Sequence, residues 1–270
     1  MTEVEELNRI VEAVMEGARY RSIDPQFVRR ICAQEAQKRR GFRDIVKSAR
    51  SKLHQVGGAY QEKGVDYAGW KKRLIQTDGD LRDPMMEQFC REIMNYHAST
   101  RERLPALETF FKETLKSIAP IHSIVDVASG LNPLALPWMP VTDHFSYLAC
   151  DIYEDMVDFL NSFFEVVKVN GRAEVCDLIS QTPSQPAQVA FVLKTLPCLE
   201  QVDKNIAQTL LRDLQAEHLL VSFPARSLGG RSKGMVKNYG KHFEEIAVNG
   251  DWKTIQRFEF DNELAFLVSR

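Results

Sequence analysis

The sequence predicts an α/β fold: a seven-stranded sheet, parallel over most of its width and ended by an antiparallel hairpin, behind an all-helical N-terminal region. Three observations predict it. From about residue 121, short apolar runs recur at regular intervals with helical segments between them, the pattern of parallel strands covered on both faces. At the end, two strand-like runs are separated only by Asp261-Asn262, a linker too short for anything but an antiparallel return. Before residue 105, apolar residues recur at helical spacing and no convincing strand occurs.

The elements follow in order. Val4, Leu7, Ile10, Val11 and Val14 mark a first amphipathic helix. Asp24-Pro25 is a cap followed by a proline at the first helical position, opening a second helix through Phe27, Val28, Ile31 and Cys32. A third helix runs from Phe42 to Leu53 and is expected to end at Gly57-Gly58. Asp83-Pro84 opens another, carrying Met85, Met86, Phe89, Ile93 and Met94. Five buried strands are expected over Ser123–Ala128, Ser146–Asp151, Ala173–Leu178, Val189–Leu196 and His218–Phe223, with helices over Glu154–Val167 and Val202–Ala216. The hairpin comprises Thr254–Phe260 and Glu263–Ser269. Five βα units followed by a terminal hairpin is the element order of a Rossmann-like, class I S-adenosylmethionine-dependent methyltransferase. The chain thus divides into a helical region, 1–105, and a Rossmann-like region, 106–270.

Composition narrows the setting. No stretch is apolar enough to cross a bilayer and no leader opens the chain, so a cytoplasmic protein without membrane association is expected. Five widely spaced cysteines have neither zinc-site spacing nor an even count, so reduced thiols, no metal and no disulfide partner are expected. The net charge of −2 hides an asymmetry. Between Arg19 and Arg73 stand 15 Lys/Arg and 5 Asp/Glu, a net +10, which leaves −12 for the remainder. Such a concentrated basic segment suits a polyanion, nucleic acid above all; a solvated helical surface is the plainer reading.

The chemistry gathers at the strand ends. The first strand runs into Asp126-Val-Ala128-Ser-Gly130, small residues that let backbone approach a cofactor or merely make a tight turn. The second ends at Asp151-Ile152, 21 residues beyond Gly130, where an acid can accept hydrogen bonds from ribose hydroxyls. The third ends in Asp177-Leu178, suited to an adenine edge. Helix N-capping is the alternative role of each acid. The fourth runs through Leu193-Lys194-Thr195-Leu-Pro-Cys198 to Gln201, where a methyl acceptor would face the cofactor. Cys198 is either a nucleophile toward a pyrimidine carbon or a buried apolar residue. The fifth leads into a basic loop in which Arg226, Arg231 and Lys233 suit phosphates, while Met235 and Tyr239 suit an extruded base.

Three runs, Asp126–Met139, Leu193–Gln201 and Ser222–Met235, with Lys52–Tyr60 and Ser99–Leu104, resemble the aminoglycoside-resistance 16S rRNA methyltransferases that modify the 7-nitrogen of a decoding-site guanine. The resemblance covers nearly the whole chain. It departs at Ala128 and Ser129, where that family usually has glycine and cysteine. It implies S-adenosyl-L-methionine as cofactor, S-adenosyl-L-homocysteine as product, and the 16S rRNA of the small (30S) ribosomal subunit as partner. It further implies Arg101 on the methionine carboxylate, Asp151 on the ribose, Asp177 and Leu178 on the adenine, and the Leu193–Thr195 backbone on the methionine amine. Lys47, Arg50, Lys52, His54, Lys71 and Lys72 are the candidates for rRNA phosphates. Guanine N7 carries no proton, so no general base is expected, only positioning by Arg226, Lys233, Met235 and Tyr239. Two other readings stay open: methylation of a different RNA nucleotide, such as a cytosine carbon through Cys198, and a non-catalytic RNA-binding protein.

Overall fold

The computed structural model describes residues 2–38, 41–62, 65–226 and 234–270. Helix α1, Glu3–Met15, starts on a capping box between Thr2 and Glu5 and buries Ile10 and Val14. Helix α2, Pro25–Ala36, starts where predicted, with the Asp24 carboxylate accepting the Gln26 and Phe27 N–H groups. Helix α3, Phe42–Leu53, has the expected bounds, and the chain continues as a widened π turn over His54–Gly58 that ends on the glycine pair. The glycine serves a close approach there, since a Cβ on Gly57 would lie 2.7 Å from the Tyr153 hydroxyl. Helices α4 (Tyr67–Leu74), α5 (Pro84–Met94, capped by Asp83), α6 (Ala98–Arg103) and α7 (Leu107–Leu115) complete the helical stretch.

Among the described residues seven strands form one sheet: β1 Ile121–Val127, β2 Val141–Asp151, β3 Asn170–Val175, β4 Ala187–Leu193, β5 Ala216–Pro224, β6 Lys253–Glu259 and β7 Glu263–Ser269. Their order is β3-β2-β1-β4-β5-β7-β6, with β1 to β5 parallel and β7 antiparallel to both its neighbours. Helices α8 (Glu154–Val166), α10 (Ile206–Asp213) and α11 (Met235–Asn249) pack on it. The class I methyltransferase topology is therefore present, hairpin included.

Four expectations need correction. The chain does not form five complete βα units: β1 and β2 are joined by a 3-10 run, Asn132–Trp138, in which the interior Pro137 lacks the N–H group an α-helix needs, and β3 and β4 are joined without a helix. The third strand ends at Val175, because the Asp177 carboxylate accepts the Ile179 N–H and turns the chain out of the sheet. The fourth ends at Leu193, where Lys194 enters the left-handed region at φ 59° and a short helix, α9 (Leu196–Leu199), follows. The helix expected from Val202 begins only at Ile206.

Strand alternation separates two apolar clusters. On one face Ile124, Tyr147, Phe191 and Leu220 join the buried side chains of α1–α5, α7 and α8 in one continuous cluster. On the other, Val125, Leu148, Val192 and Val221 meet α10 and α11. The helical stretch thus shares its core with one sheet face, which carries α2, the π turn and the α5–α6 junction to the carboxyl ends of the strands.

Candidate active site

A cleft of about 670 Å³ opens at the carboxyl ends of β1, β2 and β4. One wall is made by strand ends: Ala128, Asp151, Ile152, Leu178, Leu193, Lys194 and Thr195. The opposite wall comes from the helical stretch: Phe27, Val56, Gly57, Tyr60, His97 and Ser99. Its lining is mostly apolar with a few convergent polar groups, the composition of a small-molecule site.

Asp151 is the central carboxylate. The Gly130 N–H donates to its Oδ2 at 2.8 Å and the Ile152 N–H to its Oδ1 at 2.7 Å. Burial pushes its carboxyl up to about 6, against the pull of these backbone donors. An ionised carboxylate has about four lone-pair sites, so acceptor capacity remains for a hydroxyl donor beside these backbone groups. Gly130 sits at φ 53°, and a Cβ there would lie 2.6 Å from the His97 ring, so a side chain is excluded twice over. Ala128 adopts φ 50° without being glycine. The buried Tyr153 hydroxyl lines the same cleft and has no hydrogen-bond partner among the described residues. An orphaned hydroxyl, a ribose-competent carboxylate and apolar walls fit an adenosyl group.

Between the two walls lies a buried ion network. Arg103 donates to Glu263 at 3.0 and 2.7 Å and to Asn132 Oδ1 at 2.8 Å, with both charged side chains 2% exposed. Lys194 Nζ lies 2.7 Å from Glu102 Oε2 and 3.5 Å from Glu263. Burial alone would raise the Glu263 carboxyl, but the charges of Arg103 and Lys194 outweigh it and hold the group below its ordinary range. The His97 ring stacks on Tyr60 and contacts Ser99 Oγ at 2.9 Å. Burial, with Lys194, Arg101 and Arg103 nearby, lowers its pKa to about 4, so the ring is neutral at physiological pH. The Cys198 thiol is pushed up to about 11 by burial and donates to the Tyr60 hydroxyl at 3.0 Å, so it is a thiol rather than a thiolate.

A second cavity adjoins the cleft and shares Tyr60, Lys194 and Cys198 with it. Its wall includes His54, Glu102, Gln201, Arg226, Met235 and Tyr239. The structure thus brings Arg226, Met235 and Tyr239 together beside the cleft, while Arg231 and Lys233 lie outside the described residues.

Several sequence candidates stand elsewhere. The Asp126 carboxylate faces inward, accepting from the Tyr147 hydroxyl at 2.6 Å and Asn132 Nδ2 at 2.8 Å. Asp177 is paired with Arg30 at 2.8 Å beside the cleft. Arg101 is outside the cleft lining, in an ion pair with Glu62. Gln201 is exposed, and its carbonyl accepts from Lys52 Nζ at 2.7 Å. On the helical surface Lys47, His54 and Lys72 are exposed, Lys71 lies 3.4 Å from Asp158, and the Arg50 guanidinium turns inward to the Ala13 carbonyl. Sequence reasoning missed Phe27, His97, Tyr153 and Glu263, and it named no role for Val56 or Arg103, which lie inside the stretches that carried the resemblance. Tyr60 and Ser99 lay inside the stretches that carried the resemblance, the available signal for them. Among the described residues no group of three or more His, Cys, Asp or Glu side chains gathers as a metal site, and no helix is long and apolar enough to cross a membrane.

The profile of the ribosomal RNA methyltransferase (FmrO) family matches residues 16–267. A 16S rRNA (guanine(1405)-N(7))-methyltransferase of Frankia casuarinae is 36% identical over 267 residues, covering 98% of this chain and 94% of the relative. That of Micromonospora rosea is 33% identical over 266 residues, covering 98% and 97%. Among solved structures, the 16S rRNA methyltransferase RmtF in complex with S-adenosyl-L-homocysteine superposes with a TM-score of 0.85 at 32% identity, covering 100% of this chain and 99% of that one. The 16S rRNA methylase RmtB superposes with a TM-score of 0.79 at 25% identity, covering 98% of each chain.

Proposed function

The chain belongs to the ribosomal RNA methyltransferase (FmrO) family, and we infer that it transfers a methyl group from S-adenosyl-L-methionine to the 7-nitrogen of a decoding-site guanine in 16S rRNA. The observation that carries this reading is the cleft itself, with a carboxylate at the end of β2, small residues after β1 and a partnerless hydroxyl among apolar walls. Asp151 would accept a hydrogen bond from the ribose, Tyr153 would gain a partner, and Leu178 with Phe27 would enclose the adenine. Ser99, Thr195 and the Leu193–Lys194 backbone would face the methionine end, with Arg101 reaching its carboxylate once released from Glu62.

When bound, S-adenosylmethionine supplies an electrophilic sulfonium methyl, which the in-plane lone pair of guanine N7 takes as the C–S electrons return to sulfur, leaving S-adenosyl-L-homocysteine. No proton moves, so the protein's work is alignment and water exclusion, which in favourable cases supply about 7–11 kcal/mol. The neutral His97 and the protonated Cys198 accord with a site that needs neither base nor nucleophile. In A-form RNA the target edge faces a deep, narrow groove, so the base leaves the stack to reach the cavity bounded by Tyr60, Met235 and Tyr239. Residues 1–105 would dock the assembled small subunit through Lys47, Lys52, His54, Lys71 and Lys72 and close one wall of the cofactor cleft, and residues 106–270 would supply its strand-end wall. Arg226, Arg231 and Lys233 would meet the rRNA backbone beside the target. The setting is the cytoplasm, where ribosomes are.

The methylated base is cationic and bulkier on one edge, which repels a polycationic drug. Bacteria expressing the chain are therefore expected to resist gentamicin and kanamycin while remaining susceptible to apramycin. Resistance extending to apramycin would move the target to a neighbouring adenine, and full susceptibility despite good expression would remove the substrate assignment.

A further inference from the structure

We propose that Glu102 and Lys194 together read the Watson–Crick edge of the target base, making the second cavity selective for guanine; this rests on the methyl-transfer reading above and deepens it. The cavity has two aromatic rings on its wall, Tyr60 and Tyr239, which give an extruded base faces to stack on. Its charged lining is Arg226, Lys194 and Glu102, the last two held 2.7 Å apart through Lys194 Nζ and Glu102 Oε2. Lys194 also lines the cofactor cleft, so the ammonium stands at the passage between the two cavities.

The pair is held firmly. The Lys194 side chain is 3% exposed, its backbone is turned at φ 59°, and its ammonium also lies 3.5 Å from the buried Glu263 and 3.5 Å from the Ser99 carbonyl, long contacts that a base oxygen can replace. The Lys194 N–H donates to Ser222 Oγ, and that hydroxyl donates to Glu263 at 2.6 Å. Asn262 Nδ2 donates to the Glu102 carbonyl at 3.1 Å. The Glu102 side chain is 24% exposed, and while Oε2 accepts from Lys194, Oε1 makes no hydrogen bond within the described protein. A fixed carboxylate with one open oxygen, on the wall of a cavity with two stacking faces, is an acceptor waiting for a donor.

The donor and acceptor order selects the base. Read outward from the cleft, the wall presents a donor (Lys194 Nζ) and two acceptors (Glu102 Oε2 and Oε1). The guanine edge nearest N7 presents the complement: O6 accepts, then N1–H and the exocyclic amine donate. With N7 directed at the cleft, O6 falls beside Lys194 and the two donors fall on the carboxylate. Adenine reverses the first two positions, setting its amine against the ammonium and a lone pair against the carboxylate. Leaving buried polar groups unpaired is the means by which such sites reject a near-isostere, by factors on the order of 10⁴ where several bonds are lost.

The test uses the full-length protein and small subunits reconstituted with guanine or inosine at the target nucleotide, inosine lacking only the exocyclic amine. Single-turnover transfer of radiolabelled methyl is followed at saturating subunit. The wild-type protein is expected to methylate the inosine subunit at least about tenfold more slowly, with unchanged subunit affinity. Glu102→Gln is expected to slow transfer to guanine by a similar factor and to bring the guanine-to-inosine ratio within about twofold, while S-adenosyl-L-homocysteine affinity is retained. Equal wild-type rates on guanine and inosine would overturn the proposal whether or not the variant folds, as would a folded variant that keeps the wild-type ratio. Absence of any transfer to the guanine subunit would instead bring down the underlying methyltransferase reading, and this proposal with it.

Discussion

The two walls of the cleft are built by different rules. The strand-end wall is backbone-determined: Asp151 is held by the Gly130 and Ile152 N–H groups, and Ala128 and Lys194, which line the cleft, occupy left-handed backbone positions. The helical wall is side-chain-determined: Phe27, Tyr60 and His97 arrive from separate helices and turns and are locked by stacking, by the Tyr60–Cys198 contact and by the Arg103–Glu263 pair at the seam. A parallel sheet offers its carboxyl edge wherever its strands end, whereas a helix reaches that edge only if tertiary packing brings it there. The first wall is therefore the fold's standing equipment, and the second is what the packed helical region adds to it.

Breaking the seam should have the largest effect. Glu263→Gln leaves Arg103 and Lys194 without their shared counter-charge in the interior and is expected to cost about 3–5 kcal/mol in urea unfolding. A loss below about 1 kcal/mol would mean that apolar packing alone holds the helical wall. On the strand-end wall, Asp151→Asn is expected to weaken S-adenosyl-L-homocysteine binding by about 1.5–3 kcal/mol in calorimetry, tenfold or more. Because burial places the Asp151 carboxyl at about 6, the proton leaves as pH rises through that value and the ionised acceptor forms. Wild-type affinity should therefore increase between about pH 5 and 7, and the variant should lose that increase. The same raised value favours the protonated folded state: its stabilising contribution is complete below the ordinary aspartate range and is lost as pH climbs toward 6.

A smaller effect probes the outer surface of the helical region. Lys71→Glu combined with Lys72→Glu should weaken small-subunit binding by about 1–2 kcal/mol and shallow its salt dependence, leaving cofactor affinity intact. Unchanged methylation would place the docking surface elsewhere. The smallest concerns the departure from the family at Ala128. Glycine is free at φ 50° where alanine is strained, so Ala128→Gly should raise the melting temperature slightly, by up to about 1 kcal/mol in stability, with unfolded-chain entropy offsetting part of the gain.

Legibility followed the range of the interactions. Asp24-Pro25 and Asp83-Pro84 announced α2 and α5 correctly because a cap and a helix-compatible proline act within a few residues. The closing hairpin was legible for the same reason, through a two-residue turn. Strand ends were less so: β3 and β4 stop earlier than their apolar runs, one because a side chain captured a nearby N–H, the other because Lys194 turned left-handed. The charge count was legible as a total but not as a surface, since Arg30 and Lys71 meet acids far away in the chain.

By itself, then, the sequence determined the element types, the terminal hairpin, the acid at the end of β2 and the basic character of the helical stretch, all governed by local periodicity, capping and composition. Only the tertiary structure decided that Asp126 faces inward to Tyr147, that Arg103 and Glu263 join across 160 residues, and that Tyr60 and His97 close the cleft. Those outcomes depend on which side chains share a buried space after the helices pack on one sheet face, and no spacing along the chain encodes that proximity.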